Sequence, residues 1–579
     1  MNLLHYIYHI LIGIIPLIVS VDDVISHRPV RLDLEISEQK ENVLIHTDRS
    51  IYIAGETIWL SAYVFKTTSG HISDYSKVVY LDLIGTAGEA ITRIKIGVKE
   101  GRGKGSISLP EEIASGNYLL RAYTQDMRNY GEESFYRQHV TILHPHQKLL
   151  RHDSKQARNQ SSNKIKERDL KDLNFQIKSN ASQISQRDMV KLEISVLDGS
   201  NKIPADISIA VVPRNSVTAG DRTIINNSNT PIPSSRLYPS EEYGMIISGK
   251  VLGESDQESV PAVLVYLSIP KEAPLLYTSI SDKEGNFQFR LPKIYGPMPV
   301  VLQSNPEEKR KIRFEIKDEF HSAAMPPPPF RLDEAIIPVV ENILKNVSIS
   351  KSYESFKAPI DYYSSFQFPQ FPFFGQPDVR YVLDDYTRFP LVDFFIEVVP
   401  EVRVNGKKDE VRLRVLNSYE SGVGIEEALL AVDGVPIFDV PTFLRINNKL
   451  VKSTEVFTTP FWLNPQVFDG IIHLSTFEGD AQCFDLPNSA IRRSYLGLFP
   501  NRDFREVSAK SSGESHLPQF RNTLYWNPQI LIDDQGECSI EFPSSDALGA
   551  YDVYIYAVSH EGKVGSVVAK SFEVVKKVK

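Results

Sequence analysis

Few stretches of this 579-residue sequence place reactive side chains at spacings that support chemistry. The densest is Thr47-Asp48-Arg49-Ser50-Ile51-Tyr52-Ile53-Ala54-Gly55-Glu56, which gathers two acids, a guanidinium and a phenol around a Gly-centred turn. Such a set could polarise a ligand. It can also fix the turn by local hydrogen bonds, and that is the reading taken here. His144, His146 and His152 are metal-ligand types, but no carboxylate or cysteine stands at useful spacing and Pro145 stiffens the pair, so no metal site is assigned. The acid pairs Asp384-Asp385 and Asp533-Asp534 read as solvated turns. There is no Gly-x-Ser-x-Gly, no His-Glu-x-x-His and no phosphate loop. The catalytic, cofactor-binding and metal sets are therefore all empty, and the expectation is a protein that is not an enzyme.

Cys483 and Cys538 are the only two cysteines, too few for a disulfide scaffold. Two readings stand: a pair in an oxidising compartment, or two separate buried thiols. Neither lies beside a His/Asp arrangement that would activate a nucleophile.

The elements that must position these groups are mostly strands. Hydrophobic residues make up 42% of the chain and charged residues 24%, a globular balance with material for several cores. A net charge of −9 with no Lys/Arg block argues against a nucleic-acid partner. The 36 prolines and 31 glycines are spread along the chain, as many short strands and turns require. Ile10 to Val21 is an uncharged apolar run followed by Asp22 and Asp23. It is short of the roughly 20 residues a spanning helix needs and suits a signal-peptide core over 1–26. An uncleaved anchor is the alternative. Both predict an exported protein.

From 36 to 147 the pattern predicts an antiparallel sandwich. Ile58, Leu60, Ala62 and Val64 alternate with Thr57, Trp59, Ser61 and Tyr63, and five further β-rich runs follow up to Leu143. TDRSIYIAGETIWLSAYV resembles the second macroglobulin-type domain of the alpha-macroglobulin and complement family, with Thr47, Asp48, Arg49, Tyr52, Gly55 and Glu56 at the matching positions. SGNYLLRAYT (Ser115 to Thr124) is similar to that domain's closing strand. Ala54 departs from the usual Pro.

Residues 148–172 form a polar linker. The stretch 173–240 reads as a partial second macroglobulin-like domain, with a hairpin in which Leu192, Ile194 and Val196 lead through Asp198-Gly199 to Ile207, Ile209 and Val211. Thr218 to Ser240 reads as loop. Over 241–318, ISGKVLGESDQESVPAVLVYLS and TSISDKEGNFQFRLP resemble a carboxypeptidase-regulatory-like β-sandwich. A Pro- and aromatic-rich linker covers 319–385, with a helix near Leu332 to Lys345. Its run Tyr362 to Phe374 reads either as a partner surface or as a segment folded onto its own domain. Within 386–485, Leu391, Phe394, Phe395 and Val398 mark one helical face, followed by a hairpin. Val432-Asp433-Gly434-Val435-Pro436-Ile437, Val451 to Val456 and Gly470-Ile471-Ile472 then resemble the plug domain of TonB-dependent receptors. A last macroglobulin-like β domain is expected over 515–579, from TLYWNPQILIDDQGE and the alternation of Tyr551, Val553 and Ile555.

The fold class expected is mainly β: serial immunoglobulin- or macroglobulin-like sandwiches plus a small α+β plug-like domain. The thioester of covalent protease traps needs Cys-Gly-Glu-Gln, because the thiolate must be acylated by the glutamine side chain; neither cysteine has that context. The remainder after Asp480 is too short for a transport barrel, so the plug-like unit is expected to dock partners. The resemblances imply a non-enzymatic envelope binding or assembly protein, in the periplasm or on the outer membrane of a Gram-negative cell. Its partners would be envelope proteins, such as an outer-membrane receptor or a protease, with no nucleic acid and no small-molecule cofactor. A thioester-free, alpha-macroglobulin-like endopeptidase inhibitor is the alternative.

Overall fold

The computed structural model describes residues 40–147, 172–217, 222–223, 237–255, 257–271, 273–305, 308–322, 326–330, 336–353, 372–383, 389–406, 411–417, 422–423, 427–463, 465–500, 502–504 and 517–577. The apolar run at Ile10 to Val21, His152, Asp384-Asp385 and most of Thr218 to Ser240 lie outside them.

Strands β1 (Glu41–Thr47), β2 (Ile51–Ile53), β3 (Thr57–Lys66), β4 (Val78–Ile84), β5 (Ala90–Gly97), β6 (Arg102–Ser108), β7 (Gly116–Tyr123) and β8 (Tyr136–Leu143) make the first sandwich. One sheet runs β1-β3-β6; the other runs β8-β7-β4-β5, with β2 beside β8 and the short β14 (Arg222–Thr223) on β8's edge. In β3, Ile58 and Leu60 turn inward as the period-two pattern demands. Ser61 and Tyr63 on the opposite face are buried as well, which marks a neighbour outside this sheet.

That neighbour is a second sandwich assembled from two distant stretches. β9 (Asn174–Ser179), β10 (Gln183–Ser185), β11 (Met189–Asp198), β12 (Asn201–Lys202) and β13 (Ala205–Pro213) combine with β32 (Tyr525–Ile532), β33 (Glu537–Pro543), β34 (Gly549–Ser559) and β35 (Val564–Val575). One sheet is β10-β35-β34-β13-β32; in the other, β11 pairs with β9, β12 and β33. The pattern-based division into separate domains at 173–240 and 515–579 is thereby corrected to one unit. β13 is buried along its whole length, and the strands that cover its two edges, β32 and β34, are both C-terminal. The expected hairpin from β11 to β13 is corrected too. The turn at Gly199 closes only on β12, and β13 crosses to the other sheet, where Ile207 and Ile209 share a core with Ile194 and Val196.

The third sandwich contains β15 (Met245–Gly253), β16 (Leu264–Ile269), β17 (Leu275–Ile280), β18 (Asn286–Leu291), β19 (Pro297–Ser304) and β20 (Ile312–Ile316). Its sheets are β18-β15-β20 and β17-β16-β19-β31, the last strand (β31, Ile491–Leu496) arriving from far downstream of the expected 241–318 boundary.

The segment after β20 is strapped onto the first sandwich. Arg121 donates to the His321 carbonyl at 2.8 Å and Asn117 to the Pro328 carbonyl at 3.3 Å. Helix α1 (Ile337–Ser352) packs Val340, Ile343 and Val347 on Ile51, Ile53 and Leu143. Pro338 sits in its first turn, where the missing N–H breaks no helical bond. Over its described residues up to Tyr353, the Pro- and aromatic-rich stretch 319–385 thus lies against the first sandwich, and its helix, expected near Leu332 to Lys345, runs Ile337–Ser352.

The fourth unit is α+β. Its sheet orders β21 (Val379–Val382), β27 (Val451–Phe457), β30 (Ile471–Thr476), β25 (Leu429–Val432) and β26 (Val435–Pro436). Helices α2 (Leu391–Glu397) and α3 (Val440–Leu444) cover one face. A hairpin of β22 (Val402–Asn405) and β23 (Arg412–Asn417) packs beside them, with β24 (Gly422–Val423) on its edge; β28 (Phe461–Leu463) and β29 (Gln466–Phe468) form a second hairpin. The chain is thus mainly β, in serial sandwiches with one small α+β unit. Among the described residues no helix is long and apolar enough to cross a membrane.

Candidate functional site

The turn between β1 and β3 brings Asp48, Arg49, Tyr52 and Glu56 together. The Tyr52 hydroxyl donates to Asp48 Oδ1 at 2.8 Å, and the Trp59 amide reaches the same oxygen at 3.1 Å. Arg49 spans Glu56 in a fork, with Nη1 to Oε2 at 3.3 Å and Nη2 to Oε1 at 3.2 Å, and its Nε lies 3.3 Å from Asp48 Oδ2. Glu56 also accepts from the Ile53 amide at 2.8 Å, which closes the turn around Gly55. All of this is the local network the sequence suggests.

Three residues that the sequence does not single out extend it. Thr523 donates its hydroxyl to Asp48 Oδ2 at 2.6 Å, and Asn522 donates to Glu56 Oε1 at 2.9 Å. Asn346 of α1 in turn donates to Asn522 Oδ1 at 2.9 Å. Thus the first sandwich, α1 and the approach to β32 are pinned at one point. Asn346 carried a readable signal, a polar residue three positions after Ile343 and next to Val347 on the apolar stripe of the helix. Asn522 and Thr523 carried none, since nothing in their neighbourhood separates them from loop.

Electrostatically the joint is closed. Burial works against the Arg49 charge, but Glu56 and Asp48 outweigh it and hold the guanidinium above its ordinary value. Burial, with Asp48 adding to it, raises the Tyr52 phenol well above its ordinary value. An always-charged arginine and a phenol that stays protonated can brace a structure but offer no proton to a substrate near neutral pH.

A second buried polar cluster joins the first and third sandwiches. Lys95 Nζ of β5 lies 2.5 Å from Glu319 Oε2, and the Tyr495 hydroxyl of β31 donates to the same oxygen. Tyr80 donates to Glu241 Oε1 at 2.9 Å, and Lys95 sits 4.2 Å over the Tyr495 ring. Burial pushes the Glu241 carboxyl up to about 8 and raises Glu319, while it lowers Lys95.

In the fourth unit, His473 Nδ1 lies 2.9 Å from Glu455 Oε2, and its Nε2 accepts from the Gly434 amide at 3.0 Å. Ser475 donates to Glu455, not to the imidazole. With both ring nitrogens occupied, this His/Glu/Ser set has no base position left for a nucleophile.

The remaining candidates stay apart. His144 and His146 meet edge to face, ring centres 5.7 Å apart, with the His146 amide on His144 Nδ1. Among the described residues no group of three or more His, Cys, Asp or Glu is placed to hold a metal ion. Asp533 caps its own turn by accepting from the Gln535 amide at 3.0 Å. Cys483 and Cys538 are both free. Of the aromatic run, Phe373 and Phe374 fold back, lying 5.7 Å from Phe461 and 4.8 Å from Phe457.

No known protein family matches the sequence, and no curated protein matches it. Among solved structures the chain is similar to Salmonella alpha-2-macroglobulin reacted with methylamine, at 10% identity and a TM-score of 0.24, covering 93% of this chain and 40% of that one. Native Escherichia coli alpha-2-macroglobulin gives 11% identity and a TM-score of 0.24, over 94% of this chain and 41% of that one. Dimeric latent PorU from Porphyromonas gingivalis gives 9% identity and a TM-score of 0.14, over 93% and 34%. The chain spans about two fifths of the length of these macroglobulins.

Proposed function

We propose that this chain is a non-enzymatic binding and assembly protein of macroglobulin-like type, working in the envelope of a Gram-negative cell in the periplasm or at the outer membrane. The observation that carries the reading is the saturation of the Asp48/Glu56 joint. Its acids and its cation are spent on hydrogen bonds within the turn, and Thr523 and Asn522 complete the set from the approach to β32. A catalytic group needs a partner position left open toward a substrate. What stays open lies at sheet edges and on the exterior, where Trp462 is 78% exposed on the β28–β29 hairpin. Tryptophan in such a position suits a protein interface. The apolar run at Ile10 to Val21 supports export, and the plug-like resemblance of the fourth unit supports docking to envelope proteins.

The test is chemical cross-linking of the intact chain in envelopes, together with incubation against a panel of proteases followed by gel filtration. A binding protein gives discrete cross-links to envelope proteins and releases any protease that cuts it. Stoichiometric retention of the protease after cleavage would identify a thioester-free endopeptidase inhibitor instead, and absence of any envelope cross-link would defeat the reading.

A further inference from the structure

The third sandwich already grows by taking up a distant strand, since β31 pairs antiparallel with β19. Two prolines of β19 decide which groups of β31 stay open. Pro297 and Pro299 stand opposite Leu496 and Ser494 and have no N–H to give. In an antiparallel ladder, opposed residues alternate between pairs that exchange both bonds and pairs that exchange none. The prolines therefore occupy the non-bonded pairs, and the N–H and C=O of Ser494 and Leu496 turn away from β19. No other described strand pairs with that edge.

Beside the edge lies a groove of about 440 Å³, walled by β20 and β31. Side chains alternate across a strand, so Ile491, Arg493 and Tyr495 share one face of β31. Ile491 is half-buried against the same core as Ile316 of β20. Arg493 is exposed in the groove and has no ion pair among the described residues, whereas Arg313 on the opposite wall lies 4.0 Å from Glu315. An unpaired strand edge, a partly apolar floor and a cation without an ion pair among the described residues thus occur together; Lys317, also in the lining, hydrogen-bonds Asn286 Oδ1 at 3.0 Å.

We propose that this edge docks an extended peptide strand from a protein partner. Its main chain pairs with Ser494 and Leu496, and alternate side chains enter the groove, an apolar one beside Ile316 and Ile491 and a carboxylate on Arg493. A second copy of this chain fits less well, because its own β31 would bring Arg492 and Arg493 to a site that already holds a cation. The inference rests on the binding role proposed above and gives it a surface and a partner chemistry.

The test uses the full chain and two fluorescent acetylated peptides, one repeating Val-Ser-Glu-Ser, which places valine and glutamate on one face of the strand, and one repeating Val-Ser-Lys-Ser. By fluorescence anisotropy the valine/glutamate peptide is expected to bind at least about tenfold more tightly, and Arg493→Glu is expected to reverse the preference. Binding slows hydrogen exchange at the Ser494 and Leu496 amides. Ser494→Pro removes one outward N–H and leaves the β19 ladder intact, so affinity falls by about tenfold while the far-UV circular dichroism is unchanged. Equal affinity for both peptides, binding of neither, or protection confined to other strands overturns the proposal. A concentration-dependent dimer abolished by Ser494→Pro also overturns it and gives the edge to a second copy. Should the Ser494→Pro chain still form the envelope cross-links described above, the binding role stands and the assignment to this edge falls.

Discussion

The Thr523 hydroxyl donates to Asp48 Oδ2 at 2.6 Å, tying the turn that opens β3 to the residue that leads into β32. The two positions lie near opposite ends of the described chain, so this bond closes a loop containing the third and fourth units. Asp48 is fully buried, and its Oδ1 is already shared by Tyr52 and the Trp59 amide. Thr523 is therefore not a spare donor.

Thr523→Val keeps the shape of the side chain and removes that bond. A hydrogen bond to a charged buried acceptor contributes about 1.5–3 kcal/mol, and a loss in that range is expected from the urea midpoint. Asp48→Ala removes at once the acceptor shared by the Thr523 and Tyr52 hydroxyls, the Trp59 amide and Arg49 Nε, so it should cost more, about 3–5 kcal/mol. A Thr523→Val chain as stable as the wild type would show that the joint does not hold the sandwiches.

The pH dependence of stability follows from two buried carboxyls. Burial pushes Glu241 up to about 8, and it pushes Glu41 up to about 7 against hydrogen bonds from Ser73 and Ser76. Both values exceed that of an unfolded glutamate, about 4.3. Between about pH 4.5 and 8 the folded chain therefore holds protons that the unfolded chain releases, and stability falls as pH rises through that window. Below it the contribution is fully present. Glu241→Gln replaces the protonated acid by a neutral isostere, so its melting temperature should gain on the wild type from pH 5 to about pH 8 and level off above it. A constant difference across that range would refute the assignment.

What was legible in the sequence was local. The strands from β1 to β8 announce themselves because alternation and Gly-centred turns act over neighbouring residues, and α2 does so because Leu391, Phe394 and Phe395 fall on one face. The partners of β13 were not legible. Its apolar residues say only that both faces are covered; that β32 and β34 supply its edges depends on ladders formed across more than three hundred residues. The joint was half legible for the same reason. Asp48, Arg49, Tyr52 and Glu56 lie in one turn, whereas Asn522 and Thr523 become functional only where the chain returns.

Thiol chemistry provides a separate check. Burial pushes both Cys483 and Cys538 up to about 11, with Asp433 adding to the effect at Cys483. At pH 8 few of these thiols ionise, and the thiolate is the reactive form. Alkylation by iodoacetamide in the folded chain is expected to run about a hundredfold slower than in the urea-unfolded chain. The intact mass before reduction should show both thiols free. Comparable rates in the two states would mean that the thiols are not buried in this way.

The fourth unit depends on a turn that demands its residues. Asp433 and Gly434 have φ values of 46° and 81°, and they connect the paired residues Val432 and Val435. Two-residue hairpin loops with both central φ values positive favour Asp-Gly or Asn-Gly, because other side chains crowd the backbone there. Asp433 adds a second constraint, since its buried carboxylate accepts from the Thr476 amide and hydroxyl at 2.7 Å each and from the Ala481 amide at 2.8 Å. Asp433→Asn keeps the turn preference but trades one acceptor for a donor that faces donors. Asp433→Ala loses the turn preference and every acceptor at once. Stability should therefore fall in the order wild type, Asp433→Asn, Asp433→Ala, with the alanine variant about 3 kcal/mol or more below wild type. At Gly434 a methyl group would meet Pro274 Cβ at 2.2 Å, so Gly434→Ala combines strain with a clash against the third sandwich. Hydrogen exchange at β25 and β30 distinguishes the outcomes: faster exchange confined to those strands is expected for both alanine variants, and unchanged exchange would mean that the turn does not hold the sheet.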